Sequence, residues 1–180
     1  MHWLVIGMTE SGKSSLLKEL GSSLREAGQE VIACNPTGEA GYTRRDKYGR
    51  AGAEWETRDP AELVREAHKR FYADRKKRRF LITDEAYEIF PRGGSENLWL
   101  VTSGRHVGFT VIAGTQASQQ IEPRARTQFG GLYCFRCALT DAKFAADQWG
   151  KRELLGAPDL PTGHYFRVAE GQLTRGRAFG

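Results

Sequence analysis

Residues 7–14 read Gly-Met-Thr-Glu-Ser-Gly-Lys-Ser, a full match to GxxxxGK[ST], and they follow directly on the apolar run Trp3-Leu4-Val5-Ile6. No other stretch restricts the fold as strongly, because the pattern works only where a buried strand hands over to a helix N-terminus. Gly7 and Gly12 let the backbone turn tightly, so that the N–H groups of Gly7, Met8, Thr9, Glu10, Ser11, Gly12, Lys13, Ser14 and Ser15 are available to surround an anion. Lys13 supplies a point charge for β- and γ-phosphates, and the Ser14 hydroxyl takes one position on Mg²⁺. The positive end of the helix dipole adds to both. The expected ligands are therefore ATP and Mg²⁺. A chance match in a glycine-rich turn is the competing explanation, and the strand before and helix after weigh against it.

The rest of the chain alternates in the same way. After the strand at 2–6, leucines 16, 17, 20 and 24 at helical spacing predict a helix over 13–27, stopped by Gly28. Apolar runs at 30–34, 80–85, 109–114 and 131–137 predict buried strands, and 53–57 a short edge strand. Asp59-Pro60 is an N-cap followed by proline at the first helical position, which predicts a helix over 61–77. Further helices are expected from Ser95 to Gly104, at 123–129 and at 141–149, and a terminal hairpin across Glu170-Gly171. Strands alternating with helices imply an α/β domain with a mostly parallel central sheet and helices on both faces. At 180 residues this is a single domain, 1–180.

Two strand ends carry candidate chemistry. Leu81-Ile82-Thr83 runs into Asp84-Glu85. In a phosphate-loop protein an acid at the end of a neighbouring strand holds Mg²⁺, a role that falls to Asp84, and a carboxylate directly after it can deprotonate a water for attack on the γ-phosphate. Glu85 fits that task. The plainer alternative is a helix N-terminus with two acids for its dipole. Gln116 ends the strand at 109–114, at the edge where such sheets bind ligands, so its amide is a candidate contact to the γ-phosphate or the water.

Composition narrows the setting. No apolar run approaches the roughly 20 residues needed to cross a bilayer, and the first strand begins too close to Met1 for a signal peptide. Three cysteines without a secretion signal argue for a reducing cytoplasm rather than a disulfide framework. The net charge of +5 is concentrated in the first half, in the loop bearing Arg44, Arg45, Lys47 and Arg50 and in the stretch 69–79, with Tyr48, Phe71 and Tyr72 interleaved. The loop is the candidate for gripping nucleic-acid phosphates without reading bases, with a solvated basic surface as its alternative, while the 69–79 run is more often a solvated helix end that suits the dipole. Cys134-Phe135-Arg136-Cys137 lacks a second ligand pair for zinc and reads as buried strand cysteines.

Together, Gly-Met-Thr-Glu-Ser-Gly-Lys-Ser, Leu-Ile-Thr-Asp-Glu-Ala at 81–86, and Gly104-Arg105-His106-Val107-Gly108 leading into Val-Ile-Ala-Gly-Thr-Gln at 111–116 resemble the FtsK/HerA superfamily of DNA-pumping ATPases. The small size is most similar to the genome-packaging ATPases of tectivirus-type membrane-containing icosahedral viruses. The resemblance implies a P-loop NTPase domain of the ASCE, RecA-like kind. It implies a homo-oligomeric ring, pentamer or hexamer, that couples ATP hydrolysis to translocation of double-stranded DNA. It would work in the host cytoplasm or at the virion's packaging vertex, with capsid-vertex or viral membrane proteins as partners. Lys13 and Ser14 carry over as phosphate and magnesium ligands, Asp84 as the magnesium acid, Glu85 as the base and Gln116 as the sensor. Arg105 matches the position of a finger offered to the neighbouring subunit's nucleotide; Arg124 and Arg126 are its rivals. Glu10 departs from the pattern, since many relatives carry glycine there. Two other readings compete: a small-molecule P-loop kinase, and a filamentous-phage assembly ATPase of the zonula occludens toxin type.

Overall fold

The computed structural model describes residues 1–38, 41–46 and 48–178, the side chains of Arg105 and Val107 excepted. Its frame is an eight-stranded sheet. The strands are β1 (His2–Ile6), β2 (Glu30–Cys34), β3 (Trp55–Thr57), β4 (Arg79–Thr83), β5 (Phe109–Thr115), β6 (Phe129–Cys134), β7 (His164–Ala169) and β8 (Gln172–Arg177). They lie in the order β3-β2-β4-β5-β1-β6-β7-β8. All pairings from β3 to β6 are parallel, and β7 and β8 add antiparallel. The β7–β8 turn has positive φ at both Glu170 (51°) and Gly171 (75°), the combination whose twist matches that of a two-residue hairpin.

Although the central strands read as unbroken apolar runs, the pleat divides them. Leu4, Ile6, Ile32, Leu81 and Val111 face one way, onto α2 (Pro60–Ala73), α3 (Ala86–Ile89), α4 (Trp99–Thr102), α5 (Pro123–Arg126) and α6 (Leu139–Trp149). Val5, Val31, Ala33, Ile82 and Ile112 face the other way, onto α1 (Lys13–Glu26) and Tyr42. The helices are thus on both faces, with α1 sharing its side with the 42–53 segment.

The short helix expected at 123–129 stops at Arg126, and Phe129 already opens β6. Three further boundaries differ from expectation, each for a local reason. The helix expected over 61–77 ends at Ala73 because the chain extends at Asp74 (φ −153°) and turns back. That turn brings Lys77 (2.8 Å) and Arg79 (3.2 Å) to Glu30, which Arg70 already holds at 2.7 Å. A continuous helix would instead stack a run of five cations along its last turn. The helix expected from Ser95 is a single α-turn followed by a 3₁₀ turn, Gly104–Val107, and the side-chain amide of Asn97 ties its start to the carbonyl of Ile89 at 2.9 Å. The strand expected at 131–137 is β6, which ends at Cys134. Cys137 therefore lies beyond the strand, with its sulfur 3.8 Å from that of Cys134.

Glu30 is 6% exposed, and this decides its worth. Burial alone would raise its pKa, but hydrogen bonds from Lys77 and Arg70 and the charge of Arg79 outweigh it and hold the carboxyl below its ordinary 4.5. The folded state therefore binds the proton less tightly than the unfolded chain. This stabilisation is present above pH 4.5 and is lost as pH falls through the lower, folded value. Glu30→Gln should cost about 3 kcal/mol in urea unfolding at neutral pH, since it leaves three cations facing each other, and the deficit should close in acid.

Candidate nucleotide site

The parallel register brings three loops to one edge of the sheet. β5 lies between β1 and β4, and pairs with both. The carboxyl ends of these three strands therefore deliver the phosphate loop, the Asp84-Glu85 pair and Gln116 side by side. The N–H of Gly7 donates to the carbonyl of Thr115 (3.0 Å) and that of Met8 to Arg136 beyond β6 (3.0 Å), which sets the loop between its two neighbours. Gly163, at the entrance to β7, donates its N–H to the Ser11 carbonyl at 2.9 Å and closes the far side.

Within this frame Lys13 and Asp84 are 5% and 6% exposed and form an ion pair, Nζ to Oδ1, with a second bond from Nζ to the Asp84 carbonyl at 3.2 Å. Ser14 Oγ donates to the other carboxylate oxygen, Oδ2, at 2.6 Å. So close an approach needs room. A Cβ on Gly114 of β5 would stand 2.9 Å from the Asp84 carbonyl oxygen and 3.1 Å from Oδ1, and so would press on both. β5 has two adjacent small residues here, Ala113 and Gly114, and it is the fold that sets the second of them against Asp84.

A second chain of hydrogen bonds crosses the site. Thr9 Oγ1 donates to Gln116 Oε1 at 3.1 Å, and Gln116 Nε2 donates to Glu85 Oε1 at 3.3 Å. The amide of Gln116 thus links the phosphate loop to the second acid. Glu85 Oε2 is buried and has no hydrogen-bond partner among the described residues, and neither has the hydroxyl of Ser11 in the loop. Burial raises the pKa of Glu85 above its ordinary 4.5; the charge of Lys13 opposes this, that of Asp84 adds to it, and the Gln116 bond pulls back.

These features fit a nucleotide and a magnesium ion. The paired oxygens of Ser14 and Asp84 are hard donors of the kind Mg²⁺ takes together with water and phosphate. The loop carries the left-handed turns that aim N–H groups at an anion, at Gly12 (φ 105°) and at Glu10 (φ 61°). Glu10, the residue that departs from the sequence pattern, thus occupies a backbone position suited to glycine.

Other candidates lie apart from this cluster. Arg105 sits in the 3₁₀ turn before β5, at the opposite edge of the sheet, and its side chain lies outside the described part of the structure. Arg124 is exposed, whereas Arg126 is half-buried across the ring of Phe144 at 4.9 Å. Arg44, Arg45 and Arg50 line a cleft of about 570 Å³ with Ser15 and Lys18 of α1, directly behind the phosphate loop. Arg50 is paired with Asp46 (2.9 Å) and Arg45 bonds the carbonyl of Gly49 (3.1 Å). Lys47 lies outside the described residues. Tyr42, wholly buried against α1 and unread in the sequence, roots this basic loop in the core, and Thr43 ties it to Glu56 at 2.9 Å.

Two measurements follow from this geometry. Because the folded state binds the Glu85 proton more tightly than the unfolded chain, its ionisation opposes folding; the penalty is absent below pH 4.5 and complete above the raised value. In nucleotide-free, metal-free buffer, Glu85→Gln should therefore melt above wild type at pH 8, and the gain should shrink as pH falls toward 4.5. Glu10→Gly removes a left-handed non-glycine residue and should stabilise the same apo protein by about 1 kcal/mol in denaturant unfolding.

No protein-family model matches the sequence, and no curated protein is similar to it in sequence. Solved structures do match in fold. The genome-packaging NTPase B204 of Sulfolobus turreted icosahedral virus 2, in complex with ATP-gammaS, superposes with a TM-score of 0.79 at 15% identity, over 97% of this chain and 95% of B204. VirB4 of Thermoanaerobacter pseudethanolicus matches with a TM-score of 0.72 at 11% identity, over 98% and 88% of the two chains. The pCW3 conjugation coupling protein TcpA, with ATPgS, matches with a TM-score of 0.63 at 18% identity, over 98% of this chain and 59% of TcpA. The chain has the α/β fold that these P-loop proteins share, and in size it corresponds to B204 nearly end to end.

Proposed function

We propose that this protein is an ATPase that drives double-stranded DNA, as a genome-packaging motor of the FtsK/HerA type. The observation that carries the reading is the meeting of Lys13, Ser14, Asp84, Glu85 and Gln116 at one strand edge, in hydrogen-bonded contact. The near-complete mutual coverage with a packaging NTPase supports it at the level of fold.

In this reading the loop from Gly7 to Ser15 cradles the phosphates of ATP. Lys13, paired with Asp84, would serve the β- and γ-phosphates, and Asp84 and Ser14 would hold Mg²⁺. The ion supplies neutralisation of charge on the phosphate oxygens when bound. Glu85 is the general base: its buried Oε2, without a hydrogen-bond partner among the described residues, is suited to accept a proton from the attacking water. Gln116, bonded on one side to Glu85 and on the other to Thr9, senses the state of the γ-phosphate. Arg105, at the far edge of the sheet, completes a neighbouring subunit's site in a ring. Arg44, Arg45, Lys47 and Arg50 contact DNA phosphates, and their loop is anchored against the nucleotide-bearing helix. No helix among the described residues is long and apolar enough to cross a membrane. Capsid-vertex or viral membrane proteins are the further partners of this reading.

Steady-state hydrolysis of ATP, with and without double-stranded DNA and at about 50 and about 200 mM salt, tests the reading. DNA should stimulate turnover, and the stimulation should fall at least tenfold at the higher salt if several phosphates are contacted. Glu85→Gln should lose roughly 10²–10⁴-fold in kcat while still binding ATPγS. Turnover indifferent to DNA, or phosphate passed to a small acceptor, would sink the motor and favour a kinase.

A further inference from the structure

Two residues beyond Gln116 stands a contact that none of the nucleotide motifs includes. Ser118, wholly buried, gives both its backbone N–H (2.8 Å) and its hydroxyl (2.6 Å) to one oxygen of Asp141, Oδ1. Asp141 is itself 4% exposed and has no ion pair among the described residues. It lies in the first turn of α6, where the helix dipole favours a carboxylate. A buried charge without a cation is costly, and two short charge-assisted hydrogen bonds to the same neighbour are what hold it there.

The position of Asp141 in the fold gives this contact its meaning. The corner from β6 into α6 also supports the phosphate loop: the N–H of Phe135 donates to the carbonyl of Ile6 (2.8 Å), and the carbonyl of Arg136 accepts from Met8 (3.0 Å). One corner therefore braces two segments, one carrying Thr9 and the other Gln116, whose side chains then meet at 3.1 Å. Between Gln116 and the brace lies Ala117 alone, whose N–H is held by the Thr115 hydroxyl at 3.2 Å.

We infer that Asp141 and Ser118 are positioning residues that hold the amide of Gln116 against Thr9 and Glu85. The inference rests on the reading of Gln116 as the sensor of ATP hydrolysis. Neither residue touches the reacting atoms. The brace acts by removing freedom from the segment after β5, and misplacement of a catalytic group by about 1 Å costs on the order of a hundredfold in rate.

The test is a double-mutant cycle in the full chain: Asp141→Ala, Gln116→Ala, and both together, read by kcat, by the Kd for ATPγS and by thermal melting. Asp141→Ala should lower kcat roughly 10- to 100-fold with the Kd for ATPγS changed by less than about twofold. In the Gln116→Ala background it should cost less than about twofold more, because a brace has no further effect once the group it positions is gone. Asp141→Asn, whose Oδ1 still accepts both bonds, should restore most of the rate. If Asp141→Ala does not fold, Ser118→Ala, which deletes one of the two bonds, carries the same cycle. Losses that multiply, or a nucleotide affinity that falls in step with kcat, overturn the brace while leaving the sensor reading intact. A wild-type chain without turnover, or a Gln116→Ala chain as active as wild type, overturns both.

Discussion

The buried pair of Lys13 and Asp84 is the contact on which the rest of the site depends. Burying either charge alone would cost several kcal/mol, and removing one partner of such a pair typically costs 3–5 kcal/mol. The fold meets this cost by placing the N-terminus of α1 and the carboxyl end of β4 on the same edge, and by giving Asp84 two further contacts through Ser14 and the closeness of Gly114. Lys13 comes from the strand–loop–helix unit at the start of the chain, and Asp84 from 71 residues later. β5, inserted between their strands, sets the spacing and brings Gln116 into the gap.

Charge is divided between the two edges of the sheet. At the carboxyl edge the acids Asp84 and Glu85 share one lysine, so one of them, Glu85, keeps an oxygen without a partner among the described residues and a raised pKa. At the amino edge the balance reverses: Glu30 is held by Arg70, Lys77 and Arg79, with Glu54 and Glu66 closing the other side of Arg70. The first arrangement leaves a group underused and poised for chemistry, and the second leaves none. The contrast separates a candidate catalytic carboxylate from a structural one without reference to any relative.

The basic loop shows why charge counts alone say little. Arg50 and Asp46 form an ion pair at 2.9 Å, and the ring of Tyr48 lies 5.0 Å beneath the same guanidinium. Part of the loop's excess charge is therefore committed to its own conformation. What bears on function is where the loop is rooted: Tyr42 is sunk into the same core as Leu16 and Leu17 of α1, so the basic cleft and the phosphate loop share one helix.

The residues alone determined the phosphate loop, the alternation of elements, the strand-end acids and the terminal hairpin, because each rests on local rules: glycine at a tight turn, apolar period, proline at a helix start, two positive-φ residues in a hairpin. The strand order was not legible, since nothing in β5 says that it lies between β1 and β4. Nor were the end of α2 at Ala73, decided by Glu30 drawing Lys77 and Arg79 back toward the sheet, or the shortening of the helix after Ser95. Gly114, Tyr42, Ser118 and Asp141 carry no local signature of their roles, because each acts through a partner distant in the chain. Local steric and capping preferences act over a few residues and can be read from sequence; burial, the pairing of charges and the register of parallel strands are settled only when the chain closes on itself.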